Sequence, residues 1–130
     1  MARRILIVDD EQAMRDLLSS TLDVLPVEVL QASDGMEAMT LVETETFDLV
    51  ITDYQLPACD GLEVCRQLKA VPTPRKPKTV LITAHGTLPF LLEAVNNGVV
   101  DAALPKPYQP SDLVQIVSRL LDLPISAMSR

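Results

Sequence analysis

Residues 48–68 read DLVITDYQLPACDGLEVCRQL. The residues from Asp48 to Thr52 form a short, continuous apolar run of the Val/Ile type, which reads as a strand covered on both faces. Asp53 then opens a loop marked by Pro57 and Gly61. The tetrapeptide from Asp60 to Glu63 starts a helix. Asp60 can accept a hydrogen bond from an exposed backbone N–H, and Glu63, at the third helical position, can reach back. Strand, loop and helix in that order make a crossover unit of the kind that joins parallel strands. A strand end is a poor place for a stray charge and a good one for a reactive carboxylate, so Asp53 draws attention at once.

The same unit recurs along the chain. Apolar runs at 5–8, 27–32, 48–52, 79–83 and 101–104 read as five strands, and the mixed composition of Val27 to Ala32 suits an edge. Met14, Leu17, Leu18 and Leu22 share one face of a first helix, and Leu113, Ile116, Val117, Leu120 and Leu121 share one face of a last. Asp34 and Glu37 repeat the cap of Asp60 and Glu63, so these paired carboxylates read as helix caps rather than catalysts. A fourth helix starts near Thr87, carries Leu88, Leu91, Leu92 and Val95 as its apolar stripe, and stops at Gly98. Phe90 falls off that stripe and is expected at a contact surface. Residues 71–78 read as an exposed, Pro- and Lys/Arg-rich connection. The alternation implies an α/β, doubly wound fold with a parallel sheet between two helical layers.

Size and charge narrow the function. With 130 residues the chain has the length of one domain with one core, placed at 1–122, and residues 123–130 are expected to be a tail or the start of a linker. No apolar run is long enough to cross a bilayer, and the opening MARRILIVDDEQ has too short an apolar stretch for a signal peptide, so no membrane association and a cytoplasmic location are expected. Cys59 and Cys65 are too few for a disulfide framework or zinc site and are expected to be reduced thiols. A net charge of −7 argues against direct nucleic-acid binding.

In doubly wound sheets, ligands bind beyond the carboxyl ends of the strands. Asp9 and Asp10 follow the first strand, Asp53 the third, Thr83 the fourth, and Lys106 and Pro107 the fifth. Clustered carboxylates repel one another, and a hard divalent cation relieves them. Asp10 and Asp53 would ligate it directly, with Asp9 holding a metal-bound water. Three carboxylates, such a cation and one ammonium balance to zero, so the site can receive a phosphoryl group. A carboxylate there can act as a nucleophile on phosphorus. No glycine-rich phosphate loop is present, which argues against a nucleotide donor.

These residues, as VDDE (8–11), DYQLPACDG (53–61), TA (83–84) and KP (106–107), resemble in order and spacing the receiver domain of bacterial two-component response regulators. The resemblance runs from residue 4 to about 122. It implies a (βα)5 flavodoxin-like fold with strand order 2-1-3-4-5. It implies a phosphoprotein of signal transduction, sometimes part of a phosphorelay, rather than a turnover enzyme: Asp53 accepts a phosphoryl group from a sensor histidine kinase or a phosphotransfer protein and loses it slowly. By the same resemblance Asp9, Asp10, Asp53 and the backbone carbonyl of Gln55 bind Mg²⁺, with Mn²⁺ able to substitute. Thr83 would hydrogen-bond the phosphoryl group, Lys106 would pair with it, Pro107 would follow a cis peptide bond, and Gly61 would be structural. Gln55 and His85, two residues past the acceptor and past the threonine, would tune the lifetime of the phosphate. Output would pass to a further domain or partner, or to a homodimer through helix four, strand five and helix five. Where the family usually has Tyr or Phe, three residues before the lysine, this chain has Ala103.

Two other functions fit parts of this pattern. An aspartate-nucleophile phosphatase needs a second carboxylate two residues after the nucleophile, where this chain has Gln55. A phosphorylation-independent interaction module of the same fold would be expected to have lost an acid or the lysine, and none is lost here. Read alone, His85 is a solvated loop residue.

Overall fold

The computed structural model describes residues 2–57, 59–71, 76–84 and 88–124, apart from the side chains of 88, 90 and 91. Strands and helices alternate as β1 (Arg3–Val8), α1 (Gln12–Leu22), β2 (Val27–Ala32), α2 (Gly35–Thr44), β3 (Leu49–Asp53), α3 (Gly61–Ala70), β4 (Lys78–Thr83), α4 (Leu88–Asn96), β5 (Ala102–Pro105) and α5 (Pro110–Leu121). The strands form one sheet in the order β2-β1-β3-β4-β5, every neighbouring pair parallel. The mixed strand β2 does lie at an edge.

A strand turns alternate side chains to opposite faces, so the apolar runs feed two layers. Ile5, Ile7, Leu49, Ile51, Val80 and Ile82 pack with Leu18 and Leu22 of α1 and with Leu113, Val117 and Leu121 of α5. On the other face, Leu6, Val8 and Val50 pack with Ala38 of α2 and Val64 and Leu68 of α3. Beside them, Leu81 meets Leu62 and Cys65 of α3 and Ala94 of α4. Each such side chain contributes about 1.5–3 kcal/mol when fully buried. That is why the central strands carry no polar alternation.

The edges of the elements depart from the apolar runs for polar reasons. β1 begins two residues before its run because Arg4 is held: its N–H donates to Asp48 Oδ2 at 2.8 Å and its guanidinium pairs with Glu45 at 2.6 Å. Asp101 lies just outside β5, where its carboxylate accepts from the Thr79 N–H at 2.8 Å and pairs with Lys69 at 3.2 Å. Asp34 and Asp60 cap α2 and α3 as expected, each accepting from the N–H three residues on at 2.8 Å. Glu37 reaches back to the N–H of Ser33, one residue further than a capping box requires. Glu63 instead pairs with Arg66 along its own helix at 3.7 Å.

Each of two expected apolar stripes includes a leucine that is exposed. In α1 the buried positions are Arg15, Leu18 and Leu22, while Leu17 is 58% exposed. In α4 Leu92 is 51% exposed, and the buried position is Ala94, with Val95 half-buried. Thr87 and the side chains of Leu88, Phe90 and Leu91 fall outside the described residues, as do 72–75 of the basic connection and 125–130 of the tail. Gly98 ends α4 at φ +75°, the left-handed conformation expected of it. The Lys106–Pro107 bond is cis. Both cysteines are free thiols, and burial pushes that of Cys65 up to about 12.

The α1 stripe sets a direct test. Leu18→Ala should lower unfolding free energy by about 2–4 kcal/mol, as for other buried leucines. Leu17→Ala should change it by less than about 0.5 kcal/mol. Urea unfolding followed by circular dichroism would read both, and equal losses would mean that Leu17 is packed in solution.

Candidate functional site

The register of β1 against β3 pairs Val8 with Thr52, so the next residues, Asp9 just past β1 and Asp53 at the end of β3, come side by side at the carboxyl edge of the sheet. This is the boundary at which strand order reverses, the place expected for a ligand. Thr83 ends β4, and its carbonyl accepts the N–H of Lys106 at 2.8 Å, which brings Lys106 to the same edge. Asp9, Asp53, Thr83 and Lys106 are thus drawn together from four strands.

The Asp53 carboxylate is held through both of its oxygens. One carboxylate oxygen of Asp53 accepts the N–H of Gln55 at 3.1 Å, and the other lies 3.4 Å from Lys106 Nζ. Its backbone is fixed as well. The Tyr54 N–H donates to the Ile82 carbonyl at 2.8 Å, and the Gly61 N–H donates to the Tyr54 carbonyl at 2.7 Å. A Cβ on Gly61 would stand 2.1 Å from the Asp53 carbonyl oxygen, so that loop closes only over a residue without a side chain.

Asp9 is 2% exposed. Its N–H donates to the Ala32 carbonyl at 3.1 Å, and its Oδ1 accepts the Glu11 N–H at 2.9 Å. Burial, with Asp53 and Asp10 adding to it, pushes its carboxyl up to about 6, although the Glu11 N–H works against the shift. Tyr108, half-buried against the α1–α5 layer, has its phenol raised by burial and then by Asp9 and Asp53. Carboxylate oxygens of Asp9, Asp10 and Glu11 lie within 4.8 Å of one another. Carboxylates clustered this closely, the innermost of them buried, fit a hard divalent cation. Glu11, not expected among the acids of the site, joins the cluster because the turn into α1 follows directly.

The sequence reading also missed Arg15. It is a buried residue of α1 whose guanidinium donates to the backbone carbonyl of Asp9. Its only sequence signal is a cation at a position that the helical period places beside Leu18 and Leu22. His85 lies outside the described residues.

Comparison with known proteins agrees with this geometry. The family model for the response regulator receiver domain matches residues 5–118. The chain is 36% identical over 121 residues to the cyclic di-GMP phosphodiesterase response regulator RpfG of Xanthomonas campestris, covering 92% of this chain and 32% of that protein. It is 36% identical to the response regulator MprA of Mycolicibacterium vanbaalenii, covering 93% of this chain and 51% of that protein. The chain therefore spans about half or less of these relatives. Among solved structures, a CheY-like receiver domain from Methanospirillum hungatei superposes with a TM-score of 0.81 at 32% identity, covering 94% of this chain and 95% of that one. The chemotaxis response regulator CheY4 of Vibrio cholerae gives 0.81 at 26%, covering 92% and 99%. No described helix is long and apolar enough to cross a membrane.

Two outcomes follow from the packing and charge of the site. Gly61→Ala must push the Asp53 backbone away, so it should destabilise the fold by roughly 1–3 kcal/mol, read by thermal unfolding. A carboxyl raised in the folded state binds its proton more tightly there than in the unfolded chain. The stability that this provides is present below about pH 4 and lost as pH rises through about 6. In chelator at pH 7, Asp9→Asn should therefore unfold several degrees above wild type, by an energy on the order of 2 kcal/mol. The difference should vanish near pH 4. Equal midpoints at pH 7 would mean that Asp9 carries no such strain.

Proposed function

Because the chain belongs to the response regulator receiver domain family, we propose that it is the phosphoacceptor module of a two-component response regulator, phosphorylated on Asp53. The observation that carries this reading is the division of the Asp53 carboxylate between the Gln55 N–H and the Lys106 ammonium, beside the buried carboxylate of Asp9.

In the step we infer, an Asp53 oxygen bonds to phosphorus as the bond from phosphorus to the donor's histidine nitrogen breaks, and that nitrogen recovers a proton from solvent. Lys106 offsets charge on the transferring oxygens, and the Thr83 hydroxyl accompanies it at the end of β4. Asp9, Asp10 and Asp53, with the Gln55 carbonyl, would hold Mg²⁺. When bound, this cation supplies the positive charge that lets a phosphoryl group approach three carboxylates. A sensor histidine kinase or a phosphotransfer protein is the donor, in the cytoplasm. Output goes to a partner or a further domain, as the greater length of the relatives suggests, or to a homodimer through α4, β5 and α5.

Gln55 argues against a turnover phosphatase, since no second carboxylate stands two residues past the nucleophile to pass protons. The retention of every acid and of the lysine argues against an interaction module that works without phosphate. At sequence level, Gln55 and His85 remain the residues expected to tune phosphate lifetime.

Acetyl phosphate with Mg²⁺ should add about 80 Da to the intact mass, the increment of one phosphoryl group on a carboxylate. Asp53→Ala and chelation should each abolish the gain, and Lys106→Ala should slow it by about 10²-fold or more. A gain that persists in Asp53→Ala would refute the assignment.

A further inference from the structure

Arg15 is a charged side chain buried without an acidic partner among the described residues. It is 9% exposed, and its three acceptors are neutral. Nη1 donates to the Asp9 carbonyl, Nε to Gln31 Oε1 at 3.2 Å and Nη2 to Gln12 Oε1 at 2.6 Å. The two glutamines are themselves tied. Gln12 Nε2 donates to Asp16 Oδ1 at 2.8 Å, and Gln31 Nε2 donates to Ser19 Oγ at 3.0 Å. The guanidinium plane is therefore braced by α1 on one side and β2 on the other, and its remaining arm points at the main chain of Asp9.

Burying an unpaired cation is costly, and packing a leucine at this position would avoid the cost. The arrangement makes sense if the cation serves the acids beside it. Asp9, Asp10 and Asp53 repel one another, and the cheapest relief for a metal-free chain is to let the β1–α1 turn swing out. Three ties oppose that movement: the Asp9 N–H on Ala32, the Glu11 N–H on Asp9 Oδ1, and Arg15 on the Asp9 carbonyl. Of these, only Arg15 brings a positive charge.

We propose that Arg15 is a positioning residue for the cation site: its guanidinium fork locks the main chain of Asp9 so that the acid pair stays ready for a divalent cation. The inference rests on the proposed phosphoacceptor reading and adds a residue that touches neither cation nor phosphate. Side chains that orient metal ligands from behind typically cost about 10–100-fold in metal affinity when removed.

The test compares Mg²⁺ dissociation constants by calorimetry, and Mn²⁺ by electron paramagnetic resonance, with thermal unfolding in chelator. Arg15→Met should weaken Mg²⁺ binding about tenfold or more. Leu18→Ala, one turn along the same helix, should lower the unfolding midpoint at least as much as Arg15→Met does and leave the dissociation constant within about twofold. Arg15→Lys keeps the charge and loses the fork, so it should fall between wild type and Arg15→Met, and it serves alone if Arg15→Met does not fold. Unchanged Mg²⁺ affinity in Arg15→Met, wild-type affinity in Arg15→Lys, or an equal loss in Leu18→Ala would each overturn the inference while leaving Asp53 phosphorylation standing. Failure of the wild type to bind Mg²⁺ would overturn the cation part of the proposed function as well.

Discussion

The repulsion between Asp9 and Asp53 is the constraint around which the rest of this molecule is arranged. It follows from a register. Val8 pairs with Thr52, so the two strands release their next residues, both acids, at one point. A slip of one residue would send the whole apolar set of β1 to the wrong layer, so the core enforces the register and the acids inherit it. The hydrophobic layers thus hold two like charges together at a cost that the site itself cannot recover without a cation. Burial raises the carboxyl of Asp9 and the charge of Asp53 adds to the shift, while the ammonium of Lys106 offsets part of the charge on Asp53.

Fixing the acids in place requires the backbone around them to be closed off from several directions. Gly61 stands against the Asp53 carbonyl, Tyr54 is bonded to Ile82 on one side and Gly61 on the other, and Lys106 is bonded through its N–H to Thr83. These ties link β3, β4 and β5 at their carboxyl ends without using a side chain of the acid set. The chemistry is left to the side chains and the geometry to the main chain. Arg15 departs from this division as a cationic side chain that holds main chain, at the carbonyl of Asp9.

Much of this was legible in the sequence because burial on both faces leaves a plain mark. Continuous runs such as residues 5–8 and 79–83 could be nothing but central strands once helical periods separated them, and the acids, threonine and lysine then fell at the strand ends. Caps at Asp34 and Asp60 were readable from local chemistry alone. What escaped was set by tertiary contacts. Leu17 lies about 100° around the helix axis from Leu18, at the margin of an apolar face, and only the presence of Arg15 among the buried residues shows that the buried stripe runs through 15, 18 and 22. The bond from Glu37 to Ser33 depends on how β2 enters α2, and Asp101 leaves its strand because Thr79 and Lys69 claim its carboxylate.

Ala103 belongs to a different order of question, because its consequence lies in what surrounds it. It pairs in register with Leu81, so its methyl group points to the layer of α3 and α4, while Ala102 and Leu104 face the layer of α1 and α5. The ring packed into that outer layer near Asp53 is instead that of Tyr54, against the cluster of Leu62, Leu81 and Ala94. Tyr54 is also the residue whose main chain joins Asp53 to the Gly61 turn and to β4. The ring that reaches the α4 layer therefore stands one peptide bond from Asp53, rather than across the sheet on β5.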